Sequence, residues 1–296
     1  MLIGLPMAML TGAVYLGRHF RRTRGKRNPL TRSLLRAPGT SLKKALDATQ
    51  DQMILIALST TVLASYVAGL FMGSQSREAT PGAYYWILVG ASIVIGLAYA
   101  IRKLLKLQDT AYRQRLGLNG EMAVGEELNH LMAAGYRVFH DVPGPNYNVD
   151  HVVVGPNGVF AVETKSHPKI AGGFTAEFDG NAIRYPDRVD RKATVQAMRQ
   201  ANSVARYLTK ACGNQIKVCA VVILPGWNVK QTRPTQGCVL MASGQIAREF
   251  PKLKCEALDV GQIQARSHQV EQLCRSESPM ALSEADDLRF AQRPTL

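Results

Sequence analysis

Cysteine is scarce in this chain of 296 residues and never closely paired: Cys212, Cys219, Cys238, Cys255 and Cys274 are scattered, with no Cys-x-x-Cys among them. That spacing excludes a zinc knuckle. The odd count speaks against a disulfide framework and for a reducing compartment. The six histidines keep no ligand spacing with the cysteines either. Acidic residues are missing from Arg18 to Lys44, which holds 10 basic ones. Charge of both signs is missing from Met53 to Gly73 and from Tyr84 to Ile101, runs of 21 and 18 residues.

These gaps change the meaning of the net charge of +14. From Gly117 onward there are 20 Lys plus Arg against 18 Asp plus Glu, a balance of +2 (20 − 18). The excess flanks the apolar runs, where it bears on topology and anionic lipid more than on a nucleic-acid groove. A helix needs about 20 apolar residues to cross a bilayer, so 53–101 reads as a transmembrane helical hairpin, with Tyr84, Tyr85 and Trp86 at an interface. Residues 1–17 are also uncharged, but Gly4 and Pro6 interrupt them and the basic cluster follows instead of preceding, unlike a secretory signal. They form either a third span, which is favoured, or an interfacial segment. The loop from Ser74 to Ala83 holds one basic residue, Arg77, whereas the flanking stretches hold 10 and 5. Both flanks, and everything after Arg102, are therefore expected in the cytoplasm. The basic stretch 18–52 is expected to serve topology and membrane lipid, and 102–116 to be a juxtamembrane linker.

The remainder reads as an α/β domain with core 117–225, an extension over 226–275 and a mobile tail over 276–296. Leu118 to Ala134 predicts a helix stopped by Gly135, and Tyr136 to Val142 a strand. Val149–Val154 and Val159–Thr164 are almost continuously apolar, as central strands covered on both faces are, and Gly155-Pro156-Asn157-Gly158 between them is a turn signal. A helix over Arg191 to Ala211 precedes a buried strand over Val218 to Leu224. Strands bracketed by helices give an α/β sandwich. A weaker strand is expected at Cys238 to Met241, and helices near Gly244 to Phe250 and Gly261 to Cys274.

Charged side chains at the ends of buried strands are costly without partners. Here Asp150 ends one strand and Glu163-Thr164-Lys165 ends its neighbour. Residues two apart on a strand share a face, so Glu163 and Lys165 project together. If Pro156-Asn157 is a two-residue loop, Asp150 lies opposite Glu163. If Asn157-Gly158 is the loop, Asp150 opposes Lys165. A three-residue loop with a bulge shifts the parity and separates them. Two carboxylates and a lysine so gathered suit metal-assisted phosphodiester hydrolysis, with Asp150 and Glu163 holding Mg²⁺ (or Mn²⁺) and Lys165 steadying water or negative charge. A plain salt bridge at a sheet edge is the competing account. His151 alternates away from Asp150 and reads as a packed histidine. Lys192, Arg199 and Arg206 share a stripe of the long helix with Gln196 and are candidates for nucleic-acid phosphates.

Gly120-Glu121-x-x-Val124, then Leu128, then Asp150-His151-Val152-Val153-Val154-Gly155-Pro156-x-Gly158-Val159-Phe160-x-x-Glu163-Thr164-Lys165, with Gln196 downstream, resembles the NERD (nuclease-related) domain signature. That family is grouped with the PD-(D/E)XK nucleases. The resemblance implies a mixed sheet flanked by helices, here preceded by transmembrane helices. It implies Asp150 and Glu163 as metal ligands, Lys165 as catalytic lysine, Glu121 as the helix carboxylate near the site and Gln196 as a polar residue completing it. Ser166 to Asp179 lacks the tryptophan such domains carry, with Phe174 or Phe178 in its place. Two functions are compatible: a membrane-tethered, Mg²⁺-dependent nuclease acting on DNA or RNA, and a catalytically silent nucleic-acid-binding or scaffold module on the same fold.

Overall fold

The computed structural model describes residues 33–74, 82–169, 173–232 and 237–275. The expected segment 1–17, the basic stretch before residue 33, most of the Ser74–Ala83 loop and the tail 276–296 lie outside the described residues. The chain divides into two compact units. One contains Ala45–Arg113, and the other joins Arg32–Lys44 to the chain from Gln114 onward.

The charge-free runs lie within helices α1 (Thr40–Ser74) and α2 (Ala83–His130). In the first unit Ile54, Leu55, Leu63, Tyr66, Leu88, Val94 and Ile95 are all exposed, a density that suits an apolar solvent better than water. Both helices are long and apolar enough to cross a membrane. Phe71 meets Trp86 edge to face, with ring centroids 5.1 Å apart. The expected juxtamembrane linker 102–116 is helical throughout, within α2.

The second unit is built on a five-stranded mixed sheet of order β1-β2-β3-β7-β9. Its strands are β1 (Arg137–Pro143), β2 (Asn148–Gly155), β3 (Gly158–Thr164), β7 (Val218–Leu224) and β9 (Cys238–Ala242). The first three are antiparallel neighbours, while β3, β7 and β9 run parallel. Every residue of β3 is buried, as its unbroken apolar run requires. On one face Val152, Val154, Ala161, Ala220 and Val222 meet α3 (Lys192–Cys212) through Ala193, Ala197, Ala201, Val204 and Leu208. On the other, Val153, Phe160, Val162, Val221 and Ile223 meet Val124 and Leu128 of α2, with Phe250. Burying a Val, Leu or Phe stabilises by about 1.5–3 kcal/mol, so both layers are held mainly by this sheet. A helix α4 (Val260–Arg275) covers part of β1 and β2.

Local signals set the boundaries. After α2 a 3-10 turn (Leu131–Ala134) ends at Gly135, whose φ of 84° lets its backbone close onto Leu131 and Met132. At the hairpin Gly155 pairs with Gly158, so Pro156-Asn157 is the two-residue loop. A side chain at Gly155 would run into the Tyr136 ring. The C-terminal segment straps this loop down: Asn157 Nδ2 donates to Phe250 O and Leu253 O, both at 3.0 Å, and Leu258 N donates to Pro156 O at 2.9 Å.

Two features depart from expectation. A second sheet of order β6-β5-β4-β8 occupies much of the region expected only as connection: β4 (Thr175–Phe178), β5 (Ile183–Arg184), β6 (Val189–Asp190) and β8 (Asn228–Gln231). No disulfide framework was expected, and the described residues hold a disulfide between Cys219 and Cys255. The strap that crosses the hairpin loop carries Cys255 to β7, a meeting across 36 residues that linear spacing does not reveal.

Candidate active site

The hairpin register runs to the His151–Val162 pair, and continued by one residue it would set Asp150 opposite Glu163. Thr164 N–H reaches across to Asp150 Oδ2 at 2.7 Å. Glu163 is 2% exposed and both its oxygens are engaged: Oε1 pairs with Lys165 Nζ at 2.6 Å, and Oε2 accepts from Gln200 Nε2 at 2.6 Å. Lys165 Nζ also donates to Gln196 Oε1 at 2.9 Å. Gln196 and Gln200 are four apart on α3 and therefore lie on one side of it. The sheet edge and the helix thus supply alternate members of one network.

Glu121 comes from the opposite layer. Its predecessor Gly120 is at a point where α2 passes so close to Ser166 that a Cβ would overlap the Ser166 side chain. The missing side chain is what lets the Glu121 backbone approach. Burial first, then the charges of Asp141 and Glu163, push the Glu121 carboxyl up to about 7, while the Gly39 amide and Lys165 oppose the rise. Burial also holds Asp150 well above the usual carboxylate range. Glu163 and Glu121 add to that rise, whereas the Thr164 amide and Lys165 offset part of it.

Two contributors, Asp141 and Gln200, carry no signal in the sequence, and the expected packed histidine has polar partners. Asp141 faces the Asp150 position from β1, is 3% exposed and has φ of 49°, a left-handed conformation that Asp tolerates better than most residues. Its Oδ1 accepts from Asn148 Nδ2 at 3.0 Å, and its Oδ2 from Ser41 Oγ at 2.8 Å and Arg36 Nη1 at 3.2 Å. Gln200, 1% exposed, holds Glu163 and leaves its own Oε1 buried with no protein donor. His151 is fully buried, as expected of a packed histidine, within a polar chain: Asn129 Oδ1 to His140 Nε2 (3.1 Å), His140 Nδ1 to His151 Nδ1 (2.8 Å), His151 Nε2 to Thr164 Oγ1 (3.2 Å). Burial lowers His140 to about 4. Burial and the His140 charge lower His151 well below its usual value. With both rings neutral and the Asn129 carbonyl accepting, His140 Nδ1 accepts from His151 Nδ1–H, and His151 Nε2 accepts the Thr164 hydroxyl proton.

Of the proposed phosphate contacts, Lys192 is exposed in the first turn of α3. The Arg199 guanidinium lies 5.3 Å from the Tyr147 ring centroid, and Arg206 Nη2 donates to Ser203 Oγ at 3.4 Å. Phe178 is buried and Phe174 is 52% exposed. Trp227 is buried nearby, its Nε1 donating to His167 O at 3.0 Å.

Among the described residues no three His, Cys, Asp or Glu side chains gather closely enough to cage a metal by themselves. The donor set still fits a hard divalent cation of the magnesium type, which is held by one or two carboxylates and otherwise by water and phosphate. Asp150 and Glu163 are neighbouring acids, Glu163 already paired with Lys165, and the orphan Gln200 Oε1 beside Glu163 is a further oxygen acceptor.

A mixed sheet between two helical layers, with opposed acids at the ends of two strands and a lysine two residues on, is a nuclease-like module. Residues 116–225 match the family model NERD, nuclease-related domain. No curated protein and no solved structure matches the chain.

Proposed function

We propose that the chain is a membrane-tethered nuclease, hydrolysing nucleic-acid phosphodiesters at the cytoplasmic face with Mg²⁺ or Mn²⁺. The observation that carries this reading is the hairpin end, where Asp150 accepts from Thr164 N–H, the Glu163 charge helps to raise its carboxyl, and Lys165 lies 2.6 Å from Glu163. Asp150 and Glu163 would hold the cation. When bound, it would polarise the scissile phosphate and lower the pKa of a water molecule.

The chain's own groups do the rest. Glu163 and Gln196 fix Lys165 between them, so its ammonium is pre-aimed to stabilise negative charge developing on phosphate. Gln200 restrains Glu163 from the helix side. Glu121, held near 7, is able to take or give a proton at neutral pH. Lys192, Arg199 and Arg206 offer contacts to the nucleic-acid backbone along α3, which would position substrate without reading its sequence.

The test uses the full chain in detergent, with single- and double-stranded DNA and RNA, with and without Mg²⁺. Cleavage that disappears with EDTA and in Lys165→Ala supports the reading. Nucleic-acid binding without cleavage in any metal would leave the silent module, which the full internal engagement of Glu163 mildly favours.

A further inference from the structure

We propose that the segment 33–44, which precedes the apolar run of α1 in sequence, is a working part of the acidic site: Arg36 and Ser41 are positioning residues for Asp141, and the Gly39 backbone is one for Glu121. The inference rests on the nuclease reading of the site and extends it to residues outside the matched span 116–225.

The segment is seated by shape. Gly125 of α2 lies so close to Pro38 that a Cβ there would overlap the proline ring, and a Cβ at Gly117 would come within 3.1 Å of Leu42 Cδ1. Gly117 and Gly125 are two turns apart, so one side of α2 is cleared for this segment. At its turn, Thr40 N and Thr40 Oγ1 both donate to Ala37 O, at 3.2 and 2.7 Å. Gly39 has φ of 70°, a conformation that suits glycine and leaves its N–H aimed at the Glu121 carboxylate. Toward its start, Ser33 Oγ donates to Arg275 O at 2.9 Å.

Its polar groups then converge on one buried acid. Arg36 and Ser41 both reach Asp141 Oδ2, and Asn148 takes Oδ1. Asn148 also donates to Ser41 Oγ, and its carbonyl accepts from Gln200 Nε2 at 3.4 Å. The second contact of that same amide is Glu163. A continuous polar chain therefore runs from Arg36 to the carboxylate that would hold the cation. Arg36 also supplies the one cation bonded to Asp141 among the described residues, without which Asp141 would add its full charge to the field at Glu121. A segment needed only for burial would require the apolar contacts of Pro38 and Leu42 but not this chain.

The test compares wild type, Arg36→Met, Arg36→Lys and Ser41→Ala as full chains in detergent, each titrated with Mn²⁺ by electron paramagnetic resonance and assayed on single-stranded DNA. Arg36→Met is expected to weaken Mn²⁺ binding and lower kcat by about 10-fold each, with KM for DNA little changed. Arg36→Lys should recover most of both. If Arg36→Met does not fold, a smaller loss of the same kind in Ser41→Ala decides the matter. Unchanged Mn²⁺ affinity and kcat in folded variants, whatever their melting temperature, would overturn the proposal. A wild type that binds Mn²⁺ but cuts nothing sinks the nuclease reading alone, and the Mn²⁺ titrations then judge the segment. A wild type that neither binds nor cuts sinks both.

Discussion

Two carboxylates placed opposite each other on neighbouring strands repel, and burial makes the repulsion costly. Burial first, then the neighbouring acids, holds the Asp150 carboxyl well above the usual range and pushes that of Glu121 up to about 7. The shift has a signed consequence. A carboxyl whose folded pKa is raised binds more protons folded than unfolded, so stability falls as pH rises from its ordinary value toward the folded one. For Glu121 the window is 4.5 to about 7. In metal-free buffer, Glu121→Gln should gain on wild type across that window, by of order 3 kcal/mol at its upper end as an upper bound. Denaturant melts at pH 5 and 7.5 give the difference, and equal gains at the two would refute the assignment. Asp150→Ala and Glu163→Ala should each abolish metal-dependent cleavage. Asp150→Ala should leave metal-free stability equal or higher, whereas Glu163→Ala also strands Lys165 and Gln200. The sequence left the loop, and with it the register, open, but that Asp150 and Glu163 could share a face was legible beforehand. Asp141 and Gln200 were not, since neither has a distinctive spacing: one is an acid amid a strand, the other a glutamine one turn beyond the expected one.

At the scale of elements, a glycine in a helix ordinarily costs up to about 1 kcal/mol relative to alanine, and replacing it usually helps. Gly120 should reverse that sign. Its missing Cβ is where Ser166 sits, and Pro225 Cγ would be 3.2 Å away. Gly120→Ala is therefore expected to destabilise by about 1–3 kcal/mol through overpacking and to displace Glu121 from the site. Ser166 Oγ is buried without a partner, so Ser166→Ala alone should cost little. Combined with Gly120→Ala it should recover much of the loss. Additive effects in that double-mutant cycle would mean that the contact does not govern the approach of α2. Long elements were legible from periodicity: β7 spans the expected residues, and α3 is displaced by a single position at each end. The second sheet was not. Its β5 and β6 are two residues each, too short to show any period, and their pairing is decided by tertiary packing. The seating of 33–44 was hidden for a related reason. Its run of basic residues resembles a membrane-flanking stretch, and only the cleared side of α2 reveals where it rests.

For the whole molecule the prediction concerns which side of a membrane the nuclease-like module would face, and charge decides it. Anionic lipid on the cytoplasmic side attracts each nearby Lys or Arg by about 1 kcal/mol. The stretches flanking the apolar pair carry 10 and 5 such residues, against Arg77 alone between them. Inverting the hairpin would forfeit most of that attraction and carry the flanks across the bilayer, so the loop is expected outside and the domain inside. Single cysteines placed in a chain stripped of its five native ones test this directly. Gly82→Cys, beside the start of α2, should react with an impermeant maleimide in intact cells. Glu126→Cys, exposed on α2 within the second unit, should react only after permeabilisation. The reverse pattern would put the acids of the site outside the cell, away from cytoplasmic nucleic acid, and would remove the proposed substrate while leaving the fold and its chemistry intact. Labelling of both positions in intact cells would mean that the apolar pair does not span at all. The exposed faces of Ile54, Leu63 and Val94 would then need a protein partner in place of lipid.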